Sequence, residues 1–297
     1  MNFFEKLTKA IERNQSLLCV GLDPVEGNLP EGSDIYSRLV KWASAIITAT
    51  GDLVCCYKPN IAFFEQFGPE GLRALAAIIK EIPSEIPVLL DAKRGDIGSS
   101  AEAYARGIYD AFSADAVTLS PYLGSDSIKP FLNDPDKAVF ILCQTSNPSA
   151  GEIQGHGTPP LFETIAKKAK SWGSVEQIGL VVGATKPEAL RTVREICPDQ
   201  WILAPGVGAQ GGDLAEALGA GLRQDGPQGQ NRRSGAQPRG RTEAQEDGHR
   251  VDRGRDRHTR VGRGSEDQGD QGARASPGSC DPGRDARGWP AGAVDRR

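Results

Sequence analysis

The chain has 297 residues with a formal net charge of −4, and only 38% of its residues are hydrophobic, which is low for one large globular domain. No apolar run is long enough to span a membrane, and residues 1–15 resemble an amphipathic helix rather than a signal peptide. These features argue against a membrane protein, and we expect a cytoplasmic one.

The composition changes abruptly near Leu222. Residues 223–297 contain no Ile, Leu, Met, Phe, Tyr or Lys and are rich in Gly, Arg, Asp, Gln and Pro. Such a segment cannot bury enough apolar surface to offset the entropy lost on ordering, so we expect a disordered tail. The predicted organisation is one folded domain over residues 1–222 and a low-complexity tail over residues 223–297.

The two parts differ in charge as well. Acidic residues outnumber Lys and Arg in the folded part, which argues against a nucleic-acid enzyme. Arg- and Gly-rich segments can bind RNA, so an inactive protein with an RNA-binding tail is one alternative. However, acidic residues nearly balance the arginines of the tail, and no Phe or Tyr is interleaved for base stacking. We therefore expect no nucleic-acid partner.

The cysteines indicate a reducing compartment. Six are scattered along the chain, several inside apolar runs: Cys19, Cys55, Cys56, Cys143, Cys197 and Cys280. No CxxC pair occurs, and the three histidines have no metal-ligand spacing. We expect reduced thiols and no metal site.

Short apolar runs alternate with helical patterns along the first 222 residues. The predicted strands cover residues 16–23, 52–59, 87–93, 116–121, 138–145, 178–185 and 201–208, and the predicted helices cover residues 36–50, 71–82, 100–112, 161–172 and 186–197. Apolar strands separated by helices indicate parallel βαβ units. Seven units are one short of a (β/α)8 TIM barrel, and a doubly wound open sheet is the alternative. No GxGxxG follows the first strand, so we favour the barrel.

A normal eighth strand is missing from the predicted elements. It is expected soon after residues 211–226, where the Gly- and Arg-rich segment follows instead. One hypothesis is that the tail is GC-rich coding sequence read in a shifted frame. Resequencing the gene across the codons for residues 220–230 tests this hypothesis, and a single uninterrupted frame there rules it out.

Charged residues follow the first three predicted strands. Asp23 follows the first strand, Lys58 lies at the end of the second, and the third runs into "DAKRGDI", with Asp91, Lys93 and Asp96. Alternate strand residues face the same side, so Asp91 and Lys93 are expected to point together into the catalytic mouth of a barrel. The structural alternative is a buried ion-pair network that only braces the barrel.

Two Gly-rich segments follow the sixth and seventh strands and suit a phosphate group. Loops at these positions commonly hold phosphate in TIM barrels. The predicted donors are the backbone amides of Gly183, Ala184, Gly208 and Ala209 and the side chains of Thr185 and Gln210.

The motifs "GLDP", "YKPN", "DAKRGDI", "TSNPSA" and "APGVGAQGGD" occur in the order found in orotidine 5′-phosphate decarboxylases, and over residues 1–222 the chain resembles the bacterial subgroup with the DAKRGDI form. The resemblance implies a (β/α)8 homodimer with active sites at the subunit interface. It also implies conversion of orotidine 5′-monophosphate (OMP) to uridine 5′-monophosphate (UMP) and CO2 in pyrimidine biosynthesis, without metal or cofactor.

The resemblance also implies residue roles. Lys93 is similar to the proton donor to C6 of the pyrimidine, and Asp91 is similar to the carboxylate beside the departing CO2. Asp96 resembles the aspartate that reaches the neighbouring subunit's site, accompanied by Ser100. Lys58 completes the expected catalytic set, in which neighbouring opposite charges keep the lysines protonated.

The remaining roles concern substrate binding. Lys58 and Asp23 resemble residues that hold the ribose hydroxyls, Ser146 resembles the serine at the pyrimidine edge, and Gln210 resembles a phosphate ligand. The family also has a phosphate-binding arginine after its eighth strand, and we assign that role to no arginine here. We therefore expect a less stable and less active protein than a complete homologue.

The nearest rival is a Mg²⁺-dependent sugar-phosphate decarboxylase or aldolase of the related barrels, which shares the DxKxxD pattern. Such enzymes have a Glu at the end of the second strand, where this chain has Lys58. A lysine cannot be a ligand for Mg²⁺, which argues against this rival.

Overall fold

The computed structural model describes residues 1–207 and 211–223. The strands are β1 (Cys19–Leu22), β2 (Cys56–Pro59), β3 (Leu89–Arg94), β4 (Ala116–Leu119), β5 (Ala138–Gln144), β6 (Ile178–Val182) and β7 (Ile202–Leu203). The helices are α1 (Phe3–Asn14), α2 (Ile35–Thr50), α3 (Ala62–Glu65), α4 (Gly68–Glu81), α5 (Gly98–Arg106), α6 (Ala150–Gln154), α7 (Leu161–Trp172), α8 (Pro187–Ile196) and α9 (Leu214–Gly221). A π-helical turn, Gly107–Ala111, continues α5.

The strands are parallel and follow one another in chain order. β1 pairs with β2, and a second sheet has the order β3-β4-β5-β6-β7. Two isolated bridges, Tyr57–Val88 and Asn60–Asp91, connect β2 to β3. Parallel strands in this order, with helices between most of them, are the arrangement of a TIM barrel, as predicted.

The seventh strand is shorter than the sequence pattern predicts. β7 has two residues, whereas the sequence pattern predicts a strand over residues 201–208. Within the described part of the chain, no eighth strand follows β7, and β7 does not pair with β1. The predicted tail lies outside the described residues except for its first residue, Arg223, whose guanidinium lies 4.0 Å from the centre of the Trp201 ring.

Alternate strand residues contribute to two apolar layers. The outer layer packs under the helices and includes Leu90, Val117, Leu119, Val139, Ile141 and Leu180. The inner layer includes Cys56, Leu89, Ala116, Phe140 and Val181. This alternation explains why the strands read as continuous apolar runs in the sequence.

Helix α1 packs against the inner layer. Its Phe3 and Phe4 rings lie edge-on to the ring of Phe140, and Phe4 stacks on Trp201 with ring centroids 5.9 Å apart. The helix begins at a capping box, in which Asn2 Oδ1 accepts from the backbone N of Glu5 at 2.9 Å. Apolar side chains thus fill one part of the inner layer, and the charged residues collect at the carboxyl ends of the strands.

Over the described residues, no helix has both the length and the apolar character needed to cross a bilayer.

Candidate active site

The Asp91 carboxylate lies at the centre of the charged cluster at the ends of β2 and β3. Its Oδ1 accepts from Lys93 Nζ at 2.6 Å and from Thr118 Oγ1 at 2.8 Å. Its Oδ2 lies 3.3 Å from Lys58 Nζ. Asp91 is only 9% exposed, so these three donors replace the water that burial removes.

The opposite charges of Asp91 and Lys58 stabilise each other. Burial alone would raise the pKa of Asp91, but Lys58, Lys93 and the Thr118 hydroxyl outweigh burial and hold this pKa below its ordinary value. Burial would likewise lower the pKa of Lys58, but the carboxylates of Asp91 and Asp23 raise it. Asp91 and Lys58 are therefore both charged at neutral pH.

Asp23 follows β1 and acts on Lys58 as a second carboxylate. Burial raises the pKa of Asp23, and the favourable charge of Lys58 offsets only part of this effect. Its Oδ1 is buried and has no hydrogen-bond partner among the described residues. The burial of this acceptor is therefore not compensated by a hydrogen bond within the described part of the chain, which is consistent with the raised pKa.

Lys93 lies at an irregularity of β3. Leu90 pairs with Val117 and Arg94 pairs with Leu119, so β3 contains more residues than β4 over the same stretch. Within this bulge, Lys93 adopts a left-handed backbone conformation with φ of 46°. The backbone N–H groups of Ala92 and Lys93 both donate to Thr118 Oγ1 at 3.0 Å.

The loops after β5 and β6 meet at Ser146. Thr185 Oγ1 lies 3.4 Å from Ser146 O. A Cβ atom added to Gly183 would lie 2.8 Å from Ser146 Cα, so only glycine allows this close approach. The predicted residues Ser146, Gly183 and Thr185 are therefore neighbours in the fold.

The predicted role of two backbone amides requires correction. The N–H of Gly183 donates to Gln144 O, and the N–H of Ala184 donates to Pro205 O, both at 2.8 Å. In this structure neither amide is available to a phosphate group, because each already has a backbone partner. The other predicted phosphate ligands, Gly208, Ala209 and Gln210, lie outside the described residues.

Asp96 and Ser100 follow β3 in the chain. Asp96 is in the loop after β3, where its Oδ1 accepts from the backbone N of Ile97 at 2.8 Å. Ser100 is exposed in the first turn of α5. Among the described residues, Asp96 forms no salt bridge, so the cluster within one chain consists of Asp23, Lys58, Asp91 and Lys93.

Comparison with known proteins identifies the family to which the chain belongs. The model of the orotidine 5′-phosphate decarboxylase / HUMPS family matches residues 16–237. The chain belongs to this family. The match extends past residue 222, where we predict the folded domain to end.

Curated relatives and a solved structure agree with this assignment to the orotidine 5′-phosphate decarboxylase family. The chain is 52% identical over 236 residues to an orotidine 5′-phosphate decarboxylase of Roseiflexus castenholzii, covering 76% of this chain and 85% of the relative. It is 50% identical over 230 residues to one from Thermomicrobium roseum, covering 75% and 82%. The structure of Leishmania donovani OMP decarboxylase has a TM-score of 0.68 and 43% identity, covering 76% of this chain and 86% of that one.

Two contributors to the decarboxylase-family site are not among the residues predicted from the sequence. Thr118 contacts both the Asp91 carboxylate and the Lys93 backbone. Gln154 of α6 holds the start of the "TSNPSA" loop, because its Oε1 accepts from Thr145 N at 2.7 Å and its Nε2 donates to Thr145 Oγ1 at 2.8 Å. A polar residue inside the apolar run "AVTLSP" was a signal for Thr118, whereas nothing in the sequence singles out Gln154.

Proposed function

We propose that this protein is a carboxy-lyase that converts OMP to UMP and CO2 in pyrimidine biosynthesis, without a metal or cofactor. The observation that carries the proposal is the Asp91 carboxylate held between the ammonium groups of Lys58 and Lys93. Membership of the orotidine 5′-phosphate decarboxylase family indicates that the substrate is OMP.

The reaction requires stabilisation of a carbanion. Loss of CO2 from the pyrimidine leaves an electron pair on C6, and no adjacent group can delocalise it. The Lys93 ammonium stabilises this developing charge and then transfers a proton from Nζ to C6. The enzyme then recovers this proton from solvent, so that the whole reaction consumes one proton for each CO2 released.

Asp91 has two functions in this mechanism. It keeps Lys58 protonated, because a neighbouring negative charge favours the ammonium form, and it holds the Lys93 ammonium in place through the 2.6 Å contact with Oδ1. It also lies beside the substrate carboxylate, and the repulsion between these two anions disappears when neutral CO2 departs. Catalysis requires that the enzyme stabilise the transition state more than the bound substrate. A repulsion that is present in the bound substrate and weaker in the transition state meets this requirement.

The remaining residues hold the substrate in place. The carboxylate of Asp23 and the ammonium of Lys58, which act on each other electrostatically, bind the ribose hydroxyls. Ser146 binds the pyrimidine edge, and Thr185 and Gln210 bind the phosphate. The phosphate is distant from the bond that breaks, so its binding energy serves orientation rather than chemistry.

We further propose a cytoplasmic homodimer with shared sites. Asp96 forms no salt bridge within the described part of its own chain. Exposed apolar residues follow the carboxyl ends of the neighbouring strands β3 and β4: Ile97, Tyr104, Tyr122 and Leu123. Tyr122 is 84% exposed, which suits a residue that a second copy of the chain covers. In this arrangement Asp96 and Ser100 enter the partner's site.

The Mg²⁺-dependent alternative is weaker because of Lys58. Its ammonium lies 3.3 Å from Asp91 Oδ2 and so puts a positive charge where that chemistry needs a metal ligand.

The direct test is the loss of OMP absorbance on addition of the full-length purified protein, with and without EDTA. We expect turnover that EDTA does not change. Turnover of a sugar phosphate that requires Mg²⁺, without turnover of OMP, would contradict the proposal.

A further inference from the structure

The Thr118 hydroxyl forms hydrogen bonds with both the Asp91 carboxylate and the Lys93 backbone. Thr118 lies on β4, is 1% exposed, and faces Asp91 across the β3–β4 pair. Its Oγ1 makes three hydrogen bonds: it donates to Asp91 Oδ1 at 2.8 Å and accepts from the backbone N–H groups of Ala92 and Lys93 at 3.0 Å each.

The bulge in β3 explains the need for a hydroxyl at this position. The register of β3 with β4 skips residues 91–93, so the amides of Ala92 and Lys93 have no backbone acceptor on β4. A buried N–H without a partner is unfavourable, and the Thr118 oxygen accepts from both. The Thr118 side chain thus replaces the missing hydrogen bonds of the β3–β4 pair next to Lys93, whose φ is positive.

These contacts also determine where the Thr118 proton points. A hydroxyl has one proton and two lone pairs, and the two amides occupy both lone pairs. The proton is therefore directed at Asp91 Oδ1. This donor favours the ionised carboxylate, which in turn accepts from Lys93 Nζ.

We propose that Thr118 is a positioning residue for decarboxylation, which holds the Asp91 carboxylate and the Lys93 backbone in one fixed relationship. The inference rests on the proposed function for its kinetic consequences. Its structural part, the fixed hydroxyl between the two residues, stands on the geometry alone. Thr118 does not touch the substrate in this account, and it acts through Asp91 and Lys93.

The test compares three substitutions at this position. Thr118→Val keeps the shape but removes the hydroxyl, Thr118→Ser keeps the hydroxyl, and Thr118→Cys leaves a weaker donor and acceptor. Thr8→Val is the matched control, because Thr8 Oγ1 donates to Phe4 O within α1, away from the charged cluster.

We expect kcat for OMP to fall by about 100-fold in Thr118→Val, with KM nearly unchanged, since a small displacement of a reacting group has an effect of this size. Thr118→Ser and the Thr8→Val control should stay within about 3-fold of the wild type, and Thr118→Cys should be intermediate. If Thr118→Val does not fold, the Ser and Cys variants decide. Equal kcat values in the wild type, Thr118→Ser and Thr118→Cys would overturn the proposal.

A second readout does not depend on turnover. The titration of the Asp91 carboxyl can be followed by ¹³C NMR in the free protein, where the charged or titratable groups acting on it are Lys58, Lys93, Asp23 and Cys19. Loss of the hydroxyl should move the midpoint to higher pH in Thr118→Val or Thr118→Cys but not in Thr118→Ser. An unmoved midpoint would overturn the role of Thr118, whereas absence of OMP turnover in the wild type would overturn only the proposed function.

Discussion

Lys93 has a left-handed backbone conformation, yet its ammonium lies 2.6 Å from the Asp91 carboxylate two residues before it. A non-glycine residue in this conformation costs about 1–3 kcal/mol, and such strain persists only where surrounding contacts enforce it. Here the two amide hydrogen bonds to Thr118 enforce it. The fold therefore maintains a local strain at the residue that we propose as the proton donor.

Removal of the Asp91 charge should weaken both the fold and the reaction. In Asp91→Asn, Lys58 and Lys93 face each other without the carboxylate between them. Loss of one partner from a buried ion pair costs about 3–5 kcal/mol, so we expect a clear fall in Tm together with loss of OMP turnover. The matched control is Glu70→Gln, because the Glu70–Arg73 pair is exposed and is worth at most about 1 kcal/mol. An equal change in Tm for the two variants would contradict this expectation.

Substitution of Asp23 should increase the stability of the fold at neutral pH while it weakens the binding of OMP. Because burial raises the pKa of Asp23, its proton is bound more tightly in the folded than in the unfolded state, and stability falls as pH rises through that pKa. Asp23→Asn removes this effect, so its Tm should exceed that of the wild type at pH 7, with the difference disappearing below about pH 3, where Asp23 is largely protonated in both states. KM for OMP should rise at the same time. A lower Tm at pH 7 would show that the Asp23 charge stabilises the fold.

Gly183 allows the close approach of two loops. A methyl group at this position would lie 2.8 Å from Ser146 Cα and 2.9 Å from Ser146 N, so Gly183→Ala must displace the backbone of Ser146. We expect KM for OMP to increase by about 10-fold or more, because a misplaced binding residue weakens orientation of the substrate. Gly107→Ala is the control, since its added methyl group has no atom within 4 Å apart from its chain neighbours and the backbone of its own helix. Similar KM values for the two variants would exclude the proposed role of the Gly183 contact.

Shared active sites can be tested by mixing two inactive proteins. Lys93→Ala and Asp96→Asn each disable both sites of their own homodimer. A hybrid dimer has one site with an intact Lys93 and the partner's intact Asp96, so denaturing and refolding the two together should restore OMP turnover. Analytical ultracentrifugation of the mixture should show dimers. A mixture that contains hybrid dimers and remains inactive would place Asp96 in its own subunit's site, and OMP turnover by Asp96→Asn alone would place Asp96 outside the site.

The strand order and the charged cluster were predictable from the sequence. Parallel strands covered on both faces are continuous apolar runs, and charged residues directly after such runs cannot belong to the core. The prediction that Asp91 and Lys93 lie together is therefore confirmed by their ion pair. Simple alternation did not predict how they meet, because the bulge in β3 depends on its pairing with β4.

The phosphate side of the site shows the limit of local patterns. Gly-rich turns after β6 suggested free amides at Gly183 and Ala184, but both amides donate to carbonyl groups of neighbouring strands or loops. Such partners come from distant parts of the chain, so turn composition alone does not reveal them. Thr118 was missed for a related reason, since its role follows from residues on the adjacent strand.

The central claim is that the Lys93 ammonium stabilises and protonates the carbanion at C6. The measurement that tests it most directly is OMP turnover by Lys93→Ala beside the wild type under identical conditions, with circular dichroism to show that both are folded. We predict a fall in kcat of about 10³-fold or more, as expected for loss of a general acid that also stabilises charge. UMP formation by the folded variant at the wild-type rate would contradict the account.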